Sequence, residues 1–158
     1  MTDPKGRLVK NPSGIIVDNE TGLEWYVGPN VDISYHNAKK WVKKLNIDGK
    51  GWRLPNAAEL GNLRYTGKYS IIVRGKEYTI KLHPLFKLGG CCPWTNRVHD
   101  SDGWSVHYVN FGFEEDYPWT IEKKIHDPNV ATYPAEFGDN DNRVMAVRTR
   151  KLGSEAIK

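Results

Sequence analysis

The stretch "GKGWRLPNAAELGNL", Gly49 to Leu63, constrains the fold more than any other part of the chain. Pro55 disfavours helical geometry at Leu54, Asn56 is a helix-capping residue, and Glu59 stands three positions on, where its carboxylate can reach back to the cap's own amide. The pattern predicts a short extended segment carrying Trp52 and Leu54 that leads into a short helix packed by Leu60 and Leu63. Successive side chains of an extended segment face opposite ways. Arg53 is therefore turned away from Trp52 and Leu54, toward backbone carbonyls or a carboxylate such as Glu59. The stretch is a folding device before it is a reaction centre.

The flanking sequence supplies the layers for this device to join. "SGIIVDNETGLEWY" predicts strands at Gly14–Val17 and Leu23–Tyr26, with Asp18, Asn19 and Gly22 in the turn. In "DISYHNAKKWVKKLNIDGKG", Tyr35, Ala38, Trp41, Val42 and Leu45 recur at helical spacing behind a Ser34 cap, which turns Lys39, Lys40, Lys43 and Lys44 toward water. "YSIIVRGKEYTIKL" predicts a second hairpin turning at Arg74, Gly75 and Lys76, and "HPLF" a bend. Two further strands, near Trp94–Val98 and Trp104–Phe111, flank the turn "HDSDG"; the second is apolar on both faces, as a central strand would be. From Gly112 to Asn142 the pattern reads as one long structured loop, since disordered tracts are poor in aromatics. The continuous apolar centre of "RVMAVRTR" predicts a buried last strand.

The 158 residues fit a single domain, 1–158 with a core of about 14–150. With 39% hydrophobic and 27% charged residues the composition is globular, and no apolar run approaches the roughly 20 residues that span a bilayer. Membrane insertion is not expected. The N-terminal residues lack the apolar stretch of a secretory signal. The formal net charge of +4 is a mild excess, compatible with a polyanion partner and equally with an ordinary soluble surface. Cys91 and Cys92 are adjacent. Neighbouring cysteines seldom join, because the ring they close is strained, so two small buried thiols under a glycine-rich bend are expected, with a redox or copper role as the alternative.

"VDNETGLEW", "NAKKWVKKL", "GWRLPNAAEL", "HPLF", "CPWTN", "GWSVHYVNF" and "RVMAVR" follow one another as they do in the Lcl C-terminal domain family, which this chain resembles from about Gly14 to Arg150. That family takes its name from a bacterial collagen-like adhesin associated with sulfated polysaccharides. The resemblance implies an α+β, C-type-lectin-like fold related to the formylglycine-generating enzymes: two helices on small, twisted, mostly antiparallel sheets, with long loops over one side. It also implies a secreted or cell-envelope module.

The expected function is therefore a non-enzymatic binding module for a glycan or other surface polymer. In the long loop, Tyr117, Trp119, Tyr133 and Phe137 offer flat apolar platforms, while Glu114, Glu115, Asp116, Asp139 and Asp141 offer hydrogen bonds to hydroxyls. Lys39, Lys40, Lys43 and Lys44 are the candidate polyanion contacts, against the plainer reading of a solvated helix face. No metal or cofactor is expected. "GDNDNR" gathers calcium-type oxygens at Asp139, Asn140, Asp141 and Asn142, but it lacks EF-hand spacing and reads first as a solvated turn.

A structural or protein-interaction domain that self-associates is the alternative. Catalysis ranks below both. His36, His83, His99, His107 and His126 form no recognisable zinc or nucleophile motif, and Cys91–Cys92 match neither the spacing nor the place of the separated active-site cysteines of the formylglycine-generating group. Nucleic acid ranks last, because the lysines show no interleaved aromatic platform in the sequence.

Overall fold

The computed structural model describes residues 6–73, 75–98, 105–109, 111, 120–124 and 142–150. The architecture is α+β, with two helices on small, mostly antiparallel sheets. Strands β1 (Leu8–Lys10), β2 (Ile16–Asp18), β3 (Leu23–Val27) and β10 (Met145–Thr149) form an antiparallel sheet in the order β1-β2-β3-β10. Strands β4 (Tyr69–Val73) and β5 (Lys76–Ile80) form the expected hairpin. A third sheet has the order β8-β7-β6-β9, from β6 (Cys92–Val98), β7 (Ser105–Val109), β8 (Thr120–Lys124) and β9 (Asn142–Arg143).

The first sheet is covered on both faces, which explains why the last strand is continuously apolar. Met145 and Val147 join Leu8, Ile16 and Trp25 on one side, against Leu60, Leu63, Ile80, Leu82, Phe86, Leu88 and Phe111. Val144 and Ala146 face the other side, with Ile15, Trp52, Leu54, Trp94 and the helix residues Tyr35, Ala38 and Val42.

Both helices begin as their sequences demand. In α1 (Tyr35–Lys44) the Ser34 hydroxyl accepts from the Asn37 amide at 3.1 Å. In α2 (Ala57–Gly61) the capping box is complete: the Glu59 amide donates to the Asn56 side chain at 2.7 Å, and the Asn56 amide to Glu59 at 2.9 Å. Arg53 grips the same carboxylate with both guanidinium nitrogens, at 2.9 and 2.7 Å. Trp52 and Leu54 are buried on the opposite side, as alternation requires.

Four expectations need correction. Strand β1 was not anticipated; a three-residue segment with one buried apolar side chain leaves no periodic signal. Residues 112–142 are not one unbroken loop, because Thr120–Lys124 pairs antiparallel with β7 and Asn142 begins a strand that pairs parallel with β6. "TIEKK" carries a single apolar residue, so an edge strand there shows no alternation. The cysteines are not free thiols: Cys91 and Cys92 are joined to each other. The pair sits where Gly89 and Gly90 bend the chain into β6, so Cys91 precedes the strand and its side chain is not forced to the face opposite Cys92. Finally, Lys39 is less open to water than the other three lysines: it is half-buried, with its ammonium 5.3 Å from the centre of the Tyr35 ring.

Candidate functional site: an aromatic shelf beside helix α1

Among the described residues, the flat groups concentrate on the face where α1 crosses β3. The Tyr26 and Trp41 rings stack with centroids 6.4 Å apart and planes 18° from parallel. Tyr26 also meets Trp52, at 6.2 Å and 54°. Beyond Trp52 the Arg148 guanidinium lies 4.2 Å from the indole centre, held there by Glu24 at 2.7 Å and the Lys50 carbonyl at 3.1 Å. The result is a ladder running Trp41, Tyr26, Trp52, Arg148, which among the described residues is closed at the arginine end and open at the Trp41 end.

At the open end lies a shallow depression of ≈ 340 Å³, lined by Tyr26, Val27, Gly28, Pro29 and Trp41. Its floor depends on glycine. A Cβ at position 28 would meet Val144 Cγ1 at 2.5 Å and the Val144 carbonyl at 2.8 Å, with the Trp41 ring at 3.4 Å. Tyr26 and Trp41 are half-buried, and neither the Tyr26 hydroxyl nor the Trp41 indole N–H bonds to another group among the described residues. Contrast Trp94, whose N–H donates to the Ile33 carbonyl at 2.8 Å, and Trp52, whose N–H donates to Ile47 at 3.2 Å.

The lysines divide into two pairs. At about 100° per residue, Lys40 and Lys44 fall on the solvent side of Trp41, whereas Lys39 and Lys43 fall beyond Tyr35 on the opposite flank. Lys40, Lys43 and Lys44 are exposed. Lys44, three residues on, is thus the helix-surface neighbour of Trp41, with Lys40 farther round the same flank, and a reading that treats all four as one face misses this. It also placed Trp41 in the buried stripe; the signal against that was its position at the stripe's margin, next to Asn37 and Lys44 on the helix surface.

The shelf is anchored from below by the segment after β9. The Gly28 amide donates to the Val144 carbonyl at 2.9 Å and the Ile33 amide to the Asn142 carbonyl at 3.2 Å. Arg143 bonds Asn30, Asp32 and the Gly89 carbonyl. Buried Asn142 donates its side-chain amide to the Cys92 carbonyl at 2.8 Å, so in "GDNDNR" its N–H group is committed to the fold.

The candidate loop residues Glu114, Glu115, Asp116, Tyr117, Trp119, Tyr133, Phe137, Asp139 and Asp141 lie outside the described residues, as do Asn140, His99, His126 and the "HDSDG" turn. Among the described residues no group of three or more His, Cys, Asp or Glu is placed to hold a metal ion. No helix there is long and apolar enough to cross a membrane.

A family model for the Lcl C-terminal domain matches residues 14–133. The chain belongs to the Lcl C-terminal domain family. No curated protein and no solved structure matches it. The shelf residues Tyr26, Gly28 and Trp41 of this Lcl C-terminal domain all fall inside the matched range, as do α2 and the cysteine pair; β9 and β10, which anchor the shelf, follow it.

Proposed function

We propose that this Lcl C-terminal domain is a non-catalytic binding module for an acidic glycan, and that the Tyr26–Trp41 shelf takes one sugar ring. The observation that carries the reading is the stacked pair itself: two half-buried rings whose polar edges have no partner among the described residues, with the exposed Lys40 and Lys44 on the Trp41 flank of α1. A pyranose ring lays its C–H face on an aromatic plane, while its hydroxyls seek donors and acceptors at the rim. Lys40 and Lys44 would meet sulfate or carboxylate groups projecting from the same chain. The family's adhesin namesake, associated with sulfated polysaccharides, supports the same ligand class.

The aromatic loop around Tyr117, Trp119 and Tyr133 belongs to the proposal as a second contact region. A glycan array probed with the wild-type protein, with Lys40→Glu/Lys44→Glu and with Trp119→Ala, at low and high salt and with calcium or chelator, tests it. Sulfated or uronic-acid glycans should be retained at low salt, lost at high salt, and weakened by the double lysine change, because each contact is a screened surface charge. Retention that is indifferent to salt and to the lysines would contradict the shelf. Loss with chelator alone would move the site to the "GDNDNR" segment. No hit on any glycan would favour protein association instead.

A further inference from the structure

The Cys91–Cys92 disulfide closes too small a loop to stabilise the fold as disulfides usually do. A cross-link stabilises mainly by closing a loop in the unfolded chain, and the effect shrinks with the loop. Here the loop is one peptide, with the Cα atoms 3.7 Å apart. What the bond does fix is the local backbone, and that backbone is hydrogen-bonded on two sides. The Phe111 amide donates to the Cys91 carbonyl at 3.0 Å, and the Asn142 side chain to the Cys92 carbonyl at 2.8 Å. Cys92 and Pro93 are also the residues that register with Asn142 and Arg143 in the parallel β6–β9 pair.

From there the connections lead to the shelf without a gap. Asn142 receives Ile33, Arg143 holds Asn30, Asp32 and Gly89, and Val144 receives Gly28 beneath the Trp41 ring. The two residues are unequally exposed: Cys91 is half-buried and Cys92 is buried.

We propose that Cys91–Cys92 is a reversible dithiol–disulfide site whose state sets how firmly the segment 28–33, which leads from the floor of the shelf at Gly28 to α1, is held. An external dithiol of the dithiothreitol or thioredoxin class supplies the two electrons. Its thiolate attacks the sulfur of Cys91, the more exposed residue, a mixed disulfide forms, and Cys92 leaves as a thiolate that takes up a proton. The second thiol of the reagent then attacks its own mixed-disulfide sulfur, which releases Cys91 as a thiol and the reagent as a cyclic or internal disulfide. Freed of the ring, the 91–92 peptide follows ordinary extended geometry, in which the two side chains face opposite ways. The carbonyl that Asn142 uses then turns with it.

The test uses the intact chain under native conditions, equilibrated across a series of reduced-to-oxidised dithiothreitol ratios. Alkylation and mass measurement give the fraction reduced, and backbone amide exchange is followed at Gly28 and Ile33. Complete, reversible reduction without denaturant is expected, with exchange at those two amides rising about tenfold or more while Val17 and Trp25 in the first sheet change little. The variant Cys91→Ser/Cys92→Ser should reproduce the reduced pattern and ignore dithiothreitol. A pair that stays oxidised until the protein unfolds, a pair that never oxidises, or a reduction that leaves Gly28 and Ile33 within about twofold of their oxidised rates would each overturn the proposal. None of these readouts needs a glycan, so this proposal and the binding proposal fail separately.

Discussion

Arg53 and Val147 exchange a pair of backbone hydrogen bonds, 3.0 Å from the Arg53 amide and 2.9 Å back from that of Val147. One residue of the "WRLP" segment thus closes the outer edge of β10, the strand that separates the two halves of the core. The Arg53 side chain, meanwhile, docks α2 through Glu59. Backbone and side chain should therefore carry unequal weight. Arg53→Pro, which deletes the donor, is expected to cost about 3 kcal/mol or more. Arg53→Gln, which loses a partly exposed ion pair, should cost no more than about 1 kcal/mol. Urea denaturation of both variants measures the difference; equal losses would contradict it.

Trp52 is buried between Tyr26 and Arg148 and helps cover one face of the first sheet. Trp52→Ala is expected to destabilise by about 3–5 kcal/mol, as large-to-small changes at buried aromatic positions do. A melting temperature equal to that of the wild type would refute the packing account.

Two fully buried tryptophans allow a matched comparison. The Trp94 indole N–H has the Ile33 carbonyl, whereas that of Trp25 is buried with no acceptor among the described residues. Replacing each by Phe removes similar apolar area, but only Trp94→Phe strands a part-buried acceptor and breaks a bond. It should be the costlier change by about 1–2 kcal/mol. Thermal or urea unfolding of the pair decides it, and the opposite order would contradict the assignment.

The acid limb of stability follows from two carboxylates. Burial pulls the Asp18 carboxyl upward, but the Arg7 guanidinium, gripping it at 2.9 Å through two nitrogens, and the Glu20 amide outweigh burial and hold it below its ordinary 3.8. Glu59 is likewise pulled up by burial and held below 4.5 by Arg53 and the Asn56 amide. The unfolded chain therefore takes up these protons first. Stability from the two groups is complete above their ordinary values and is lost as pH falls through the lower folded ones. Asp18→Asn and Glu59→Gln should each reduce stability at neutral pH and flatten the acid limb. A limb of unchanged slope in both variants would show that other groups control it.

Local chemistry was legible in the sequence because it needs no tertiary partner. The Asn56–Glu59 box, the Ser34 cap and the burial of Trp52 and Leu54 each follow from a few neighbouring residues. The β7 position between β6 and β8 followed from apolar residues on both faces. Features that depend on partners distant in sequence were not legible. The polar edge strand β8 exists because β7 offers it a ladder, and the adjacent cysteines join because a glycine bend happens to precede β6. The shelf was missed for a related reason. Tyr26 belongs to a strand and Trp41 to a helix, and periodicity does not distinguish a ring at the margin of a core from one inside it.

The most direct check of the account is the amide and indole NMR spectrum of the domain during titration with a sulfated oligosaccharide at low ionic strength. The account predicts saturable shifts of the Trp41 indole N–H and of the backbone amides of Gly28, Lys40 and Lys44. Saturable shifts confined to other residues, with the Trp41 indole resonance unmoved, would contradict it.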